Sequence, residues 1–309
     1  MRDFRFGYNV RGLGTAADLA VDARRAEAFG YDVALVPDHL GGPSPFVTAQ
    51  ALADATDGLR VGTLVLNNGF WNPHLLAREV ASVDRLSGGR FELGLGSGHM
   101  KWEFDAAGIA WEPFRERSAR LAATIATLGR IFADPMYAER ADLHEQHGIP
   151  VLEPVQRTGF GGSGPPLLVG GTGDTVLEIA AAHADTVAVA GVFQAPGEPP
   201  GTFRLGTAAQ AAERVAFVRD RLGGRDAELS MLLQRVTLTG DRRAAAEETA
   251  RLLPYLSVDE ILETPFLAFG TPEQIAAQLR AHREEYGFSY VTVHGPFMEH
   301  LGPAIELLR

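Results

Sequence analysis

The feature that most restricts this chain is a rhythm of eight short apolar runs, most of them followed by a stretch of helical periodicity. The runs are Phe4–Val10, Asp32–Val36, Leu59–Asn67, Phe91–Gly96, Pro166–Val169, Thr186–Val189, Leu229–Leu238 and Tyr290–Val293. Helices are expected over Thr15–Phe29, Pro45–Thr56, Pro73–Leu86, Pro113–Phe132, Asp174–Ala184, Thr207–Leu222, Arg243–Leu253, Thr271–Tyr286 and from Met298 to Leu308. Gly30 marks the end of the first, and Pro73 suits the first turn of the third. Apolar strands separated by helices belong to parallel sheets buried on both faces. Eight such units predict an α/β fold of the (β/α)8 type, a TIM barrel, with an open doubly wound sheet plus a second domain as the alternative. The 309 residues read as a single domain, 1–309, with an irregular insertion over about 134–164 after the fourth strand–helix region. That insertion is expected to close the mouth of the barrel.

Composition narrows the chemistry. Hydrophobic residues make up 46% and charged ones 22%, an ordinary globular balance that excludes disorder. A net charge of -11 argues against nucleic acid and anionic membrane as partners. With no cysteine, disulfides, Cys-ligated metals and thiol catalysis are excluded, and Lys101 is the only lysine available for Schiff-base chemistry. The first residues are charged rather than a 7–15-residue apolar core, and no apolar run reaches about 18 residues. A cytoplasmic protein is expected.

In a barrel of this kind, function sits where strands end and loops begin. Asp38-His39 follows the second strand; the carboxylate could bind a polar ligand edge and the imidazole could move a proton, or Asp38 could cap the next turn while His39 packs. Asn67-Asn68-Gly69-Phe70-Trp71 follows the third strand, offering amides and aromatic faces to a heterocycle or forming a plain tight loop. Gly94-Leu95-Gly96-Ser97-Gly98-His99 allows close backbone approach without the spacing of a dinucleotide fingerprint. Gly170-Gly171-Thr172-Gly173-Asp174 opens a helix, which makes it a phosphate cradle, unless Asp174 or Thr175 caps that helix. His294 ends the eighth strand and also faces the mouth. His144, Glu145 and His147 lack a third ligand at convincing spacing, so a solvated loop is expected there and no metal; His183 and His282 are expected to face solvent.

Several stretches, taken in order, resemble one family. They are Val61–Leu66, Asn72-Pro73, Ala77-Arg78-Glu79, Asp84-Arg85-Leu86-Ser87-Gly88-Gly89-Arg90, Glu92–Gly98, Pro166–Gly171 and Phe269–Ile275. Together they resemble the bacterial luciferase-like superfamily, in its actinobacterial branch of F420-dependent oxidoreductases. The resemblance implies a TIM barrel, coenzyme F420 at the mouth with FMN as the alternative, and a homodimer. It implies a non-prolyl cis peptide at Leu64-Val65, or next best Thr63-Leu64, behind the coenzyme ring. By the same matching Asp38 meets the ring edge, Asn67, Gly96, Ser97 and Gly98 line the coenzyme, and Gly170, Gly171 and Thr172 hold its phosphate.

His39 is then the expected proton donor near the reacting carbon, with His99 second, and Phe70, Trp71, Trp102 and Phe104 form an apolar wall for a small-molecule substrate, with His294 as a further contact. Related sugar-phosphate dehydrogenases carry an acidic residue where this chain has His99, while Glu103 lies one helical turn later. Their basic cluster for a substrate phosphate is not evident here, so glucose 6-phosphate is not the expected substrate. Hydride transfer at the deazaflavin C5 is the leading expectation; an FMN-dependent monooxygenase and a non-catalytic flavin-binding protein are the alternatives.

Overall fold

The computed structural model describes residues 2–10, 12, 14–134, 145–148, 152–199 and 201–309. Eight parallel strands close on themselves: β1 (Arg5–Asn9), β2 (Val33–Val36), β3 (Arg60–Thr63, resuming as Leu66–Asn67), β4 (Phe91–Gly96), β5 (Leu167–Gly171), β6 (Thr186–Val189), β7 (Glu228–Leu233) and β8 (Phe288–His294). β1 pairs with β8 and β2, and the ring is completed where Val61 and Gly62 of β3 lie beside Phe91 and Glu92 of β4. This is the TIM barrel, and the open sheet is excluded.

Local signals place the helices within a residue or two of expectation. Thr15, Thr207 and Thr271 each form a capping box with the residue three positions on, starting helices Ala16–Ala28, Ala208–Arg221 and Pro272–Tyr286. Pro73 opens Pro73–Leu86 behind the cap of Asn72, whose side chain accepts from the amides of His74 and Leu75. Short elements escaped the sequence: helices Lys101–Ala107 and Val258–Glu263, the strand Leu267–Gly270 and the hairpin Val192–Gln194 with Phe203–Leu205. None is long enough for periodicity to separate helix from strand. The expected single strand Leu229–Leu238 is also divided. β7 stops at Leu233, and Arg235–Leu238 leaves the barrel to pair with Leu267–Gly270. Gln234 makes the corner, donating its amide to the Phe266 carbonyl (2.8 Å) and its side chain to the Ala190 carbonyl (3.0 Å).

The barrel interior holds a small apolar cluster of Val33, Leu35, Leu168, Ala188 and Tyr290, with Leu64 and Val65 laid against it. Those two residues are joined by a cis peptide and interrupt β3. The neighbouring strand accommodates the interruption with Gly94, whose hypothetical Cβ would lie 1.9 Å from the Thr63 carbonyl oxygen. Thr63 replaces lost ladder bonds with its hydroxyl, which donates to the Gly94 carbonyl (2.9 Å) and accepts from the Gly94 amide (2.8 Å).

The described residues 152–164 of the insertion do not close the mouth. The insertion leaves helix Phe114–Ala133 and enters β5, and both of those ends lie at the amino-terminal end of the barrel. Residues 135–144 and 149–151, with Pro135, His144 and Pro150, lie outside the described residues. Residues 152–164 are bound at that lower end: Asp84 accepts from the amides of Val155 (2.6 Å) and Gln156 (2.9 Å), and the Gln156 side chain donates to the Phe91 carbonyl (2.6 Å). His282 is a second correction. It is buried beneath helix Pro272–Tyr286 rather than facing solvent, whereas His183 is exposed. Among the described residues no helix is long and apolar enough to cross a membrane, and no three His, Asp or Glu side chains converge as metal ligands.

Candidate active site at the barrel mouth

β2 delivers Asp38 and His39 just beyond its carboxyl end. Asp38 neither caps the next turn nor stands free. Its Oδ2 accepts from the Asn67 amide (3.1 Å) and from the Trp71 indole (2.9 Å), tying the end of β2 to the loop after β3. Burial raises the Asp38 carboxyl above its ordinary range, and those two bonds partly counter the rise. Trp71 is fixed by this bond and by its edge contact with Phe46, 5.1 Å between ring centres. It acts as a support for Asp38 more than as an open wall.

His39 reaches the other way. Its Nδ1 lies 2.8 Å from Glu103 Oε1, and the same oxygen accepts from the Leu40 amide at 3.2 Å. The His39 side chain is 39% exposed while that of Glu103 is 2% exposed, so the pair runs from the mouth into the protein. His99 stands beside it with ring centres 5.8 Å apart, edge to face, and Phe203 of the hairpin covers its other side at 5.6 Å. His99 keeps a face open to water, yet the protein around its ring lowers its pKa, aided by His39 and Arg117. The structure therefore brings His39 and His99 together as expected, and adds Glu103 and Phe203. Glu103 was visible in the sequence only as an acidic residue near the glycines; its pairing required the short helix Lys101–Ala107.

The floor beside these residues is built for close approach. A Cβ at Gly96 would stand 2.7 Å from Val65, and one at Gly98 only 2.4 Å from Asn67 Oδ1. Ser97 lies between them, half-buried, and Leu64 and Val65 are half-exposed beneath the mouth. Several buried polar atoms here have no protein partner: Asn9 Oδ1, Asn67 Nδ2 and both amide atoms of Asn68. Such groups carry a desolvation cost unless something else bonds them.

Across the mouth, Gly170-Gly171-Thr172 leads into helix Asp174–His183, whose cap position is Gly173 with no side-chain bond to the first-turn amides. Neither Asp174 nor Thr175 caps it; Asp174 is drawn aside to Arg214, which also pairs with Glu213 and donates to the Thr172 carbonyl at 3.2 Å. The Thr172 hydroxyl donates to the Val192 carbonyl (3.2 Å), and a Cβ on Gly171 would meet Val176 at 2.8 Å. Nearby, Arg117 is 8% exposed, lies 3.6 Å over the Trp111 ring and donates to the Glu112 carbonyl (2.7 Å). Its Nε has no partner, and burial lowers its pKa.

The remaining candidates divide. Phe70 packs on the fully buried Phe104 (5.3 Å), which also meets Trp111 (5.0 Å). Trp102 is exposed at the rim. His294 Nε2 lies 3.2 Å from Gln234 Oε1, which fixes it on the β7–β8 side. Glycine approach, partnerless amides and uncapped helix amides fit a planar, amide-edged coenzyme that carries a phosphate.

The chain belongs to the bacterial luciferase-like family: the family model described as luciferase-like monooxygenase matches residues 7–258. It is 28% identical over 306 residues to an F420-dependent glucose-6-phosphate dehydrogenase of Amycolatopsis mediterranei (strain U-32), covering 90% of this chain and 88% of that protein. Its fold matches an F420-dependent secondary alcohol dehydrogenase in complex with an F420–acetone adduct, with TM-score 0.70, 15% identity and full coverage of both chains. A long-chain alkane monooxygenase matches almost as well, with TM-score 0.69 and 13% identity over 99% of this chain and 92% of that one.

 Identity to that monooxygenase is 13%, so the two structural matches establish the fold and do not choose between their chemistries.

Proposed function

We propose that this protein is an F420-dependent oxidoreductase that transfers a hydride between the deazaflavin C5 and a small organic substrate in the barrel mouth. The observation that carries the reading is the half-exposed His39, held from behind by buried Glu103, beside a floor of glycines and partnerless amides. The similarity over nine-tenths of the chain to a protein named as F420-dependent supports deazaflavin over FMN. The coenzyme, when bound, supplies the hydride chemistry. Gly170, Gly171, Thr172 and the open amides of helix Asp174–His183 would hold its phosphate, and Asp38, Asn67, Asn68, Gly96, Ser97 and Gly98 its ring side. Leu64 and Val65 would support the ring from within the barrel.

His39 then exchanges a proton with the substrate oxygen at its exposed nitrogen. In the oxidative direction His39 would take the O–H proton of an alcohol, and in the reductive direction it would return a proton to a carbonyl oxygen, while the bound coenzyme would accept or supply the hydride on carbon. Phe70, Trp102 and Phe203 shield the reacting atoms from water. Of the nearby cations, Lys101 and Arg214 are already paired, with Asp105 and with Asp174 and Glu213, and Arg117 is buried over Trp111, which supports an uncharged substrate rather than a sugar phosphate. We also infer a homodimer, from Val21, Val47 and Leu75, which are exposed on the three adjacent helices after β1, β2 and β3; light scattering in solution tests it. The function itself is tested by titrating the protein with F420 and with FMN. Tighter binding of F420 is expected. Tight FMN binding with no uptake of F420 overturns the reading.

A further inference from the structure

We propose that Glu103 is a positioning residue that fixes the tautomer of His39, keeping hydrogen on Nδ1 and leaving Nε2 to exchange protons with substrate. The role assigned to Nε2 rests on the function proposed above; the tautomer itself does not.

The argument begins with one oxygen. Glu103 Oε1 lies 3.2 Å from the Leu40 backbone nitrogen, which can only donate. That oxygen therefore acts as an acceptor in this loop. His39 Nδ1 approaches the same oxygen at 2.8 Å, and the contact is completed when Nδ1 carries the hydrogen. A neutral imidazole carries one hydrogen, so Nε2 is then a bare acceptor. On protonation Nε2 gains the hydrogen and Nδ1 keeps its own. The proton thus enters and leaves at the exposed nitrogen only.

Two further features make the arrangement stable. Glu103 is almost fully buried at 1% exposure, within the first turn of helix Lys101–Ala107, so its carboxyl has little freedom to swing to water. His99 closes the other side of the His39 ring, edge to face, and burial disfavours a charge on that second imidazole. Proton exchange at His39 is thereby confined to one nitrogen of its ring.

Long-range proton–nitrogen NMR of histidine-labelled protein without coenzyme reads the tautomer directly. The wild-type His39 signal is expected to show hydrogen on Nδ1 and a bare Nε2. Glu103→Leu removes the acceptor and is expected to shift the tautomer ratio by roughly tenfold, while Glu103→Gln, which retains an acceptor oxygen, preserves the wild-type pattern. A wild-type His39 protonated at Nε2 overturns the proposal without any variant. So does an unchanged ratio in Glu103→Leu, or equal loss in the Leu and Gln variants. Because the spectra need no coenzyme, failure to bind F420 would strike the proposed function and leave the tautomer result standing.

Discussion

The two ends of this barrel treat buried polar groups in opposite ways. At the amino-terminal end, Arg5 bridges Glu228 (2.7 Å) and Glu92 (2.5 Å), and Arg60 joins Glu92 and Gln156 (2.8 Å). Thr186 and Ser289 donate to the Glu228 oxygens at 3.4 and 3.3 Å, and Arg5 covers the Tyr290 ring at 4.4 Å. Only the Tyr290 hydroxyl in this cluster lacks a partner. At the mouth, Asn9, Asn67 and Asn68 hold buried polar atoms with none. One end is satisfied by the protein itself. The other is completed by what it binds, in keeping with a fold whose lower face serves stability and whose upper face serves function.

The strongest way to break this contrast is to remove the bridge at the lower end. Arg5→Met leaves Glu92 and Glu228 facing each other without their shared cation, and breaking such a buried pair costs about 3–5 kcal/mol. The pH dependence has a definite sign. Burial raises the Glu228 pKa even with Arg5 present, so its folded pKa lies above its unfolded one. A carboxyl raised in this way favours folding at low pH, and that stability is lost as pH rises through the folded value. The Arg5→Met protein is therefore expected to recover part of its stability on mild acidification. Urea unfolding of both proteins across the weakly acidic to weakly alkaline range checks it; equal stability of the two at every pH would show that the cluster is idle.

His282 tests the contrast from another side, because its Nδ1 is also buried without a partner yet it lies outside the mouth. Burial, helped by Arg242, pushes its pKa down to about 4 from an ordinary 6.5. The folded protein thus resists protonation there. Stability is full above about 6.5 and falls as the pH drops towards 4, by about 3 kcal/mol in all. His282→Phe is expected to flatten that acid limb while leaving coenzyme binding unchanged. If instead the substitution weakens coenzyme binding, partnerless polar groups do not mark the mouth.

How much of this was legible in the sequence follows from the range of the interactions. The eight strands and the long helices are local patterns: apolar runs, capping threonines and Pro73 announce themselves within a few residues. The loop residues at the strand ends were legible as candidates because a barrel puts them on one face. Their partners were not. Asp38 is bound by Asn67 and Trp71, about thirty residues away, and His39 by Glu103, 64 residues away. No spacing rule links such positions. The burial of His282 is not legible in the sequence, because a lone polar residue on a helix carries no mark of which face is buried. The placement of residues 152–164 has a simpler reason: the end of a helix and the start of the next strand both lie at the lower end, and these residues are bound there.

The finest test lies at the mouth, where the expected signs of stability and binding part. Asn68 is almost fully buried, and both of its amide atoms lack a partner in the protein. Replacing it with leucine, close to it in size, removes that desolvation cost. If the amide exists to meet a ligand, Asn68→Leu is expected to stabilise the coenzyme-free protein by about 1 kcal/mol while weakening F420 binding. Thermal unfolding without coenzyme gives the first quantity and a binding titration gives the second. A variant that loses stability in the free protein would mean that Asn68 serves the fold, as Arg5 does below, and its amide would then not mark a group left for a ligand.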